Sequence, residues 1–388
     1  MNSTFVAATV TAKPRIAVPV IALFLYAVAS GYLMSIIPLA LPQYGLDGAL
    51  ASWLASAFYG GLLVGAMLME PMVNRIGHRA AFIASLLVFI ATVAILITLP
   101  VASIWLAARF LAGIAVAGVF VTVESWLLHG DESGRAKRLG LYMGSLYGGA
   151  ALGQLGIGII GVSGMLPIAT ILSLLALAVL SLMFGQSDQP EAGHSDSLSF
   201  KQITKLNQAA LIGCVVSGLT LGAIYGLMPL ELSHRGIAQQ DVGILMALVI
   251  LGGMAVQPMV PWLSKFMGRT LLMAMFSLLG VGALAITFMQ KDIATLAVNL
   301  FLLGMATFAL YPIAINLACD KLDTRYIVSA TQVMLFSYSV GSVFGPVVAD
   351  LSMGENNGLM SYLFLTLLAT CIYMLLMSVK ARREVMMS

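Results

Sequence analysis

Ser35-Ile-Ile-Pro38-Leu39 and Gly226-Leu-Met-Pro229-Leu230 each end a long apolar run, and their prolines are 191 residues apart. A second pair of stretches follows the first at the same spacing. Asn74-Arg75-Ile-Gly77-His-Arg79 matches Lys265-Phe-Met-Gly268-Arg269, and the two glycines are again 191 residues apart. Each half of the chain therefore has an apolar run that ends in a proline, followed by a basic turn with a central glycine.

The glycines further along the chain extend this correspondence. Gly113 and Gly304 are 191 residues apart, and Gly149-x3-Gly153 precedes Gly341-x3-Gly345 by 192. Four landmarks in the same order at a nearly constant offset indicate that one half of the chain duplicates the other.

The composition is that of a membrane protein. Apolar residues make up 60% of the 388 residues, charged residues make up 9%, and the mean hydropathy is +1.01. A soluble domain has a charged fraction of about 25%. The three cysteines, Cys214, Cys319 and Cys371, have no metal-binding spacing and fall in or beside apolar runs, so we expect small core residues, with no metal and no cofactor.

The apolar runs predict twelve transmembrane helices. Each run has about the 20 residues that a membrane helix needs, and backbone groups in lipid must be satisfied within the segment. Membrane strands would instead show short alternating segments. The runs cover approximately 16–42, 48–73, 79–100, 102–128, 138–161, 165–185, 207–230, 241–263, 269–289, 293–319, 327–350 and 358–379.

The distribution of Lys and Arg predicts the orientation. Sixteen of the 19 lie in the even-numbered gaps or at the two ends of the chain. The odd-numbered gaps contain only Arg235 and Lys291, and Arg109 lies inside a predicted helix. Because positive residues are retained on the cytoplasmic side, both termini are expected to be cytoplasmic, in a multi-pass protein of a bacterial inner membrane.

Residues 186–206 form the one long polar segment between the predicted helices. Its Ser, Asp, Gln, Pro and Gly content favours a flexible cytoplasmic linker. The expected organisation is an N-terminal six-helix bundle (1–185), this linker (186–206) and a C-terminal six-helix bundle (207–388).

Twelve helices in two parallel halves resemble the major facilitator superfamily (MFS) over essentially the whole chain. Gly77-His78-Arg79 resembles the cytoplasmic gating motif of that superfamily, and Arg109-x3-Gly113 resembles its helix-4 arginine motif. Three shorter stretches resemble a bacterial branch, the YcaD-type transporters: Gly222-Ala-Ile-Tyr225-Gly-Leu-Met-Pro229-Leu, Leu310-Tyr311-Pro312 and Val123-Glu124-Ser125.

The gating motif departs from the superfamily pattern. Asn74 and Lys265 replace its aspartate in the two halves, and Glu70 stands where the motif begins with glycine. The resemblance still implies a cytoplasmic gate at these basic turns. The expected gating residues are Glu70, Asn74, Arg75, Gly77, Arg79, Lys265, Gly268 and Arg269.

The resemblance also implies that helices 1, 4, 7 and 10 line a central cavity. The few charges there favour a small amphipathic organic solute, although any one tyrosine could equally be a packing residue or an interface anchor. The candidate substrate-binding residues on these helices are Tyr26, Tyr32, Ser35, Arg109, Ser217, Thr220, Tyr225, Tyr311 and Asn316, and Gln154, Gln257 and Gln332 are the candidates on neighbouring helices.

Arg109 and Glu124 are the charged residues inside predicted helix 4. Arg109 either extends to the periplasmic headgroups, binds an anionic group of the substrate, or controls the protonation of an acid. Glu124 lies fifteen residues later, about 22 Å along the helix, so the two cannot touch. Glu124 is either a helix-end residue or the site of the coupled proton.

These features predict a secondary active transporter that works by alternating access, coupled to protons, with export favoured over uptake. The sequence has no nucleotide-binding loop, so an enzyme or a primary pump is not expected. The alternative is a transporter-like lipid scramblase or membrane sensor, which the loss of both gating aspartates keeps open. The expected partners are a small-molecule substrate, membrane lipid and protons, with no nucleic acid, and the expected state is a monomer.

Overall fold

The computed structural model describes residues 16–128, 132–185, 207–289, 292–320, 327–352 and 358–387. Within these ranges the chain is helical and contains no strand. The predicted linker at 186–206 and several basic residues of the loops lie outside the described residues.

Twelve long helices form the fold, as the apolar runs predict. Eleven of them are long and apolar enough to cross a membrane, and the twelfth, α5, has 28 residues of which the first seven include four charged ones. The helices are α1 (Ala17–Ala40), α2 (Leu50–Ile76), α3 (His78–Thr98), α4 (Ala102–Leu128), α5 (Glu132–Ile159), α6 (Met165–Phe184), α7 (Gln208–His234), α8 (Gln239–Val256), α9 (Arg269–Met289), α10 (Ile293–Cys319), α11 (Ile327–Asp350) and α12 (Gly358–Met387).

The apolar run at 241–263 is not one continuous helix. Helix α8 ends at Val256, and after Gln257 and Pro258 a single turn, Met259–Leu263, continues the path. A proline has no N–H for the helical ladder, and its ring clashes with the preceding turn, so the interruption falls at Pro258.

The duplication in the sequence appears as repeated helix contacts between glycines and backbone. A side chain at Gly153 of α5 would overlap the Val28 carbonyl of α1, and one at Gly341 of α11 would overlap the Val215 carbonyl of α7. The α2–α4 and α8–α10 pairs are related in the same way. Gly113 lies against the Phe58 carbonyl of α2, as Gly304 lies against the carbonyl of Val249 in α8. Glycine is required here because the backbones approach too closely for a Cβ.

These glycine contacts lie inside each half, where they hold pairs of helices of the same half together. Gly144 and Gly148 behave differently, because a Cβ at either one would meet no atom within 4 Å. Gly144 and Gly148 therefore do not bring two helices together in this conformation. This part of α5 faces open space.

The alternating helices define two sides of the bundle. The termini side carries the start of α1, the end of α12 and the α2–α3 turn. The far side carries the α1–α2, α5–α6, α7–α8 and α11–α12 connections. At the α2–α3 turn, Gly77 has a φ of 82°, and its N–H donates to the Val73 carbonyl oxygen at 2.8 Å. A residue with a side chain would be strained in this left-handed conformation.

Candidate transport site

The two halves are joined on the far side. The Gln239 side chain of α8 donates to the Ile157 carbonyl oxygen of α5 at 2.9 Å, and the Ser52 hydroxyl of α2 donates to the Asp350 carboxylate of α11 at 2.9 Å. Within the described residues these are the hydrogen bonds that connect the halves. The two bonds occupy related positions in the repeat. One joins the end of α5 to the start of α8, and the other joins the end of α11 to the start of α2.

Small residues complete this far-side closure. The Cα of Gln240 lies against Gly158, and the Cβ of Ala55 on α2 lies against Gly226 of α7. Ala151 of α5 packs in a buried cluster with Ala247 and Ile250 of α8. Within the described residues, these contacts bring the two halves together at this end.

Toward the termini side the halves separate. Gly140, Gly144 and Gly148 recur every four residues along α5, and a Cβ at any of them would meet nothing within 4 Å. Tyr147 on the same stretch of α5 contacts Phe308 of the other half, so we infer that this open space is a cavity between the halves, closed on the far side and open on the termini side.

Glu124 of α4 faces this cavity. Its carboxylate accepts a hydrogen bond from the Tyr142 hydroxyl of α5 at 3.2 Å. Tyr142 is buried, so this bond directs the carboxylate toward the interior of the bundle. Glu124 is nevertheless exposed, because the space that it faces is open.

Aromatic rings form the wall around this carboxylate. Phe308 of α10 contacts Tyr147 and Tyr225 edge-to-face, with ring centroids 5.5 and 6.1 Å apart. The rings of Tyr311 and Tyr338 lie 5.0 Å apart. All four tyrosines are partly exposed, whereas Phe308 is buried. The contacts of Phe308 with α5 and α7 mark the floor of the cavity, beyond which the halves are in contact.

The sequence prediction included Tyr225 and Tyr311 at this wall and missed Tyr142, Tyr147, Phe308 and Tyr338. Three of the missed residues lie on α5 and α11, which the resemblance did not assign to the cavity. A signal was present, since Tyr147 and Tyr338 occupy nearly the same place in the two repeats, 191 residues apart. The duplication could have identified them as a pair.

Arg109 does not line the open cavity. Its side chain is only 3% exposed, its guanidinium lies 4.4 Å from the ring centroid of Phe58, and a terminal nitrogen contacts the Met34 sulfur at 3.5 Å. Its charge interacts with Tyr26 and Tyr59, and its Nε has no hydrogen-bond partner. In this conformation the guanidinium is covered by the ring of Phe58 and does not reach the headgroups, and a contact of Arg109 with the solute stays a prediction.

Several predicted substrate contacts are packing residues. The Ser35 hydroxyl donates to Gln154 at 2.6 Å, the Gln154 amide donates to the Gly31 carbonyl oxygen at 2.8 Å, and both side chains are fully buried. These bonds hold α1 against α5 and leave no free group for a solute. Tyr26 packs on Phe89 and Phe120, Tyr32 donates to the Gly161 carbonyl oxygen, and Thr220 donates to its own helix. Ser217 is fully buried, and its hydroxyl has no hydrogen-bond partner among the described residues.

The other predicted polar contacts are Asn316, Gln257 and Gln332. Asn316 is near the end of α10 on the termini side, where its backbone carbonyl accepts from Arg269 at 3.2 Å. Gln257 donates to Gly253 in its own helix at the interruption of α8. Gln332 is in α11, and its side chain lies outside the described part of the chain.

The predicted gating residues on the termini side are held within their own halves. Arg79 donates to the carbonyl oxygens of Leu182, Met183 and Gly185, which closes the end of α6. Arg269 forms an ion pair with Asp320 at the end of α10. Glu70, Asn74, Arg75 and Lys265 are exposed, and Gly268 precedes α9 with open space around it.

A sequence model of the Major Facilitator Superfamily matches residues 20–346. The chain is 33% identical over 335 residues to an uncharacterized MFS-type transporter, YcaD, of Shigella flexneri serotype 5b, covering 85% of this chain and 87% of that one. It is 34% identical over 328 residues to YcaD of Escherichia coli O9:H4, covering 84% and 85%.

Two solved structures have the same fold. The nucleoside transporter NupG superposes with a TM-score of 0.73 at 12% identity, covering 94% of this chain and 97% of that one. The human organic anion transporter MFSD10 superposes with a TM-score of 0.66 at 15% identity, covering 92% and 98%. At these identities the similarity concerns the fold alone.

Proposed function

The chain belongs to the major facilitator superfamily of membrane transporters, and we propose that it is a secondary active transporter, not an enzyme, that moves a small amphipathic organic solute by alternating access. One observation carries this proposal. The halves make contact on the far side and separate on the termini side, around a cavity that holds a carboxylate. In alternating access, such a protein completes the transport cycle when the far side opens and the termini side closes.

The orientation follows from the distribution of positive residues. The termini side carries most Lys and Arg residues, so we propose that it is cytoplasmic and that the far side is periplasmic. The structure then corresponds to an inward-open state in the bacterial inner membrane. We also propose export, because an amphipathic solute in the cytoplasm or the inner leaflet meets the open side of the cavity directly.

Glu124 is the proposed site of proton coupling. It is exposed to the cavity, and the hydroxyl of Tyr142 stabilises its carboxylate. An ionisable residue inside a membrane bundle is a candidate for a proton pathway. Tyr147, Tyr225, Tyr311 and Tyr338 are the proposed solute contacts, since they are partly exposed around the same space.

Arg109 has a different proposed role. Its guanidinium lies against the ring of Phe58 on α2, and that ring lies 5.4 Å from the ring of Tyr59 on the same helix. Arg109 therefore positions the part of α2 that meets α11, and it acts on the far-side closure without contacting the solute.

The test begins with a thermal-shift screen of the purified protein against metabolites and drugs, because a specific binder raises the unfolding temperature by mass action. Flux of the binder is then measured in proteoliposomes with an imposed pH gradient. The parent should accumulate the solute against its gradient. Glu124→Gln, if it retains binding, should exchange solute across the membrane without accumulating it.

A matched control is Asp47→Asn, which removes a carboxylate from the exposed α1–α2 loop and leaves an oxygen that can accept from the Ala49 N–H. It should accumulate solute like the parent. Redistribution of labelled lipids with no solute flux would instead identify a scramblase and contradict the proposal.

A further inference from the structure

The exposed charge at the level of the aromatic wall is negative. Glu124 is exposed, and the Tyr142 hydroxyl donates to its carboxylate at 3.2 Å, whereas the exposed cation Lys137 lies near the start of α5 on the termini side. A carboxylate among tyrosines can accept hydrogen bonds or attract a cation, but it repels an anion. The charge of the solute should therefore be complementary to Glu124.

The membrane-embedded cation of the same helix does not offset this charge. Arg109 is fifteen residues away, about 22 Å along α4. It is 3% exposed, and its guanidinium is covered by the ring of Phe58. A solute that enters from the open side meets the carboxylate and not the guanidinium.

The rings around Glu124 add a second attraction for positive charge. Tyr147, Tyr225, Tyr311 and Tyr338 are partly exposed on helices of both halves. A cation within about 6 Å of an aromatic ring centroid is attracted by the electrons of the ring face, most strongly when the cation carries little water. Quaternary ammonium groups and similar ions fit this description, because their charge is shielded by carbon.

The α5 wall leaves room for the apolar part of such a solute. Gly140 and Gly144 lie on the termini side of Tyr147 and Gly148 lies next to it, and a Cβ at any of the three would meet no atom within 4 Å. A bulky apolar group can lie along this stripe while its charged end lies beside Glu124.

Resting on the proposed transport function, we propose that the solute is an organic cation, held between the Glu124 carboxylate and the faces of Tyr147, Tyr311 and Tyr338. The proton and the cation then use the same carboxylate, and each excludes the other from it. The negative charge of Glu124 therefore selects organic cations over anions and neutral solutes.

The test is equilibrium binding of radiolabelled probes to the protein in lipid nanodiscs, with empty discs subtracted. Tetraphenylphosphonium and tetraphenylborate are nearly equal in size and shape and opposite in charge. Benzyltrimethylammonium and neopentylbenzene form a smaller pair, in which carbon replaces the charged nitrogen. At least one cation should bind at least about tenfold more tightly than its anionic or neutral counterpart.

Variants assign the preference to this site. Glu124→Gln should weaken binding of that cation about tenfold or more, whereas Asp47→Asn should leave it unchanged. Tyr311→Phe keeps the ring and should retain most of the affinity, whereas Tyr311→Leu removes the ring and should lose several-fold. If Tyr311 had only a structural role, Tyr311→Phe and Tyr311→Leu would bind the cation equally well whenever their thermal stabilities are equal.

The inference is overturned if neither cation is preferred to its counterpart, or if the preference survives in Glu124→Gln. Binding requires no gradient, so it is judged independently of transport. Solute flux without any charge preference would overturn the cation site and leave the transporter, whereas a charge-selective site without flux would contradict the transport function.

Discussion

Arg109 is a buried cation whose described neighbours are an aromatic ring, a thioether and two tyrosines. Its guanidinium lies 4.4 Å from the Phe58 ring centroid, and its Nε has no hydrogen-bond partner. Burying a charge costs several kcal/mol, and the contact with the ring returns about 2 kcal/mol. The residue is therefore retained at a cost to stability, which points to a role in the transport cycle.

Arg109→Met tests this balance, because methionine has a similar length and no charge. The variant should unfold at the same or a higher temperature than the parent, since the desolvation cost disappears. Its transport should fall at least tenfold, because Phe58 and Tyr59 lose the group that positions them against α11. The measurements are a thermal melt in detergent and solute flux at matched expression.

Phe58→Leu is the companion variant, since it removes the ring and keeps the charge. It should be less stable than the parent by 1 kcal/mol or more, of the order expected for a trimmed core aromatic. A marked loss of thermal stability in Arg109→Met would contradict the argument and make the arginine a structural residue.

At the scale of the helices, glycines on opposite faces of α5 have two different functions. Gly153 lies against the backbone of Val28 and Tyr32 in α1, whereas Gly144 faces open space. The residue type and the four-residue spacing are the same at both places. Only the neighbouring helix distinguishes a packing glycine from one that lines the cavity.

Gly153→Ala and Gly144→Ala form a matched pair. Gly153→Ala should destabilise the protein by about 1–3 kcal/mol, because an added methyl forces two packed backbones apart. Gly144→Ala should be neutral or stabilising by about 0.5–1 kcal/mol, because alanine is a better helix former and meets no neighbour. The free energy of unfolding of each variant is measured by titrating the protein in a mild detergent with a denaturing detergent. Equal destabilisation of the two variants would show that Gly144 is also packed.

At the scale of the whole molecule, the distribution of contacts between the halves defines the conformation. The bond from Ser52 to Asp350 and the bond from Gln239 to Ile157 are both on the far side. They stabilise this state and must break when the far side opens. A ligand or mutation that removes them shifts the population by the difference in free energy between the two states.

Asp350→Ala removes one of these bonds and should favour opening of the far side. A hydrogen bond to a charged acceptor contributes about 1.5–3 kcal/mol, so the opened population should rise about tenfold. Ala247→Cys, buried between α5 and α8, serves as the reporter in a background with the three native cysteines replaced by alanine. Its rate of labelling by an impermeant maleimide from the far side should increase accordingly.

The control for that experiment is Asp241→Asn, at the start of α8, which removes a far-side carboxylate that is not part of either bond. Its labelling rate should equal that of the reporter alone. An unchanged rate in Asp350→Ala would mean that the Ser52–Asp350 bond does not hold the halves together.

The sequence by itself determined the architecture. Helix number, the positions of the helices and the duplication all follow from local properties, because lipid requires continuous apolar helices and a repeated chain repeats its landmarks. The runs at 293–319 and 327–350 coincide with α10 and α11, and the largest internal departure is the interruption at Pro258. Arg109 and Glu124 could also be identified from the sequence, because they are charged residues within a predicted membrane helix.

The tertiary structure alone decided what those residues face. Glycines, tyrosines and serines have the same sequence signature whether they lie at a packed interface or at a cavity. Ser35 and Gln154 hold each other, whereas Tyr147 and Tyr338 line the open space, and no local pattern separates these cases. Arg109 and Glu124 share a helix, yet one is covered by Phe58 and the other is exposed. The physical reason is that access to a solute depends on how two halves, distant in sequence, meet on one side and part on the other.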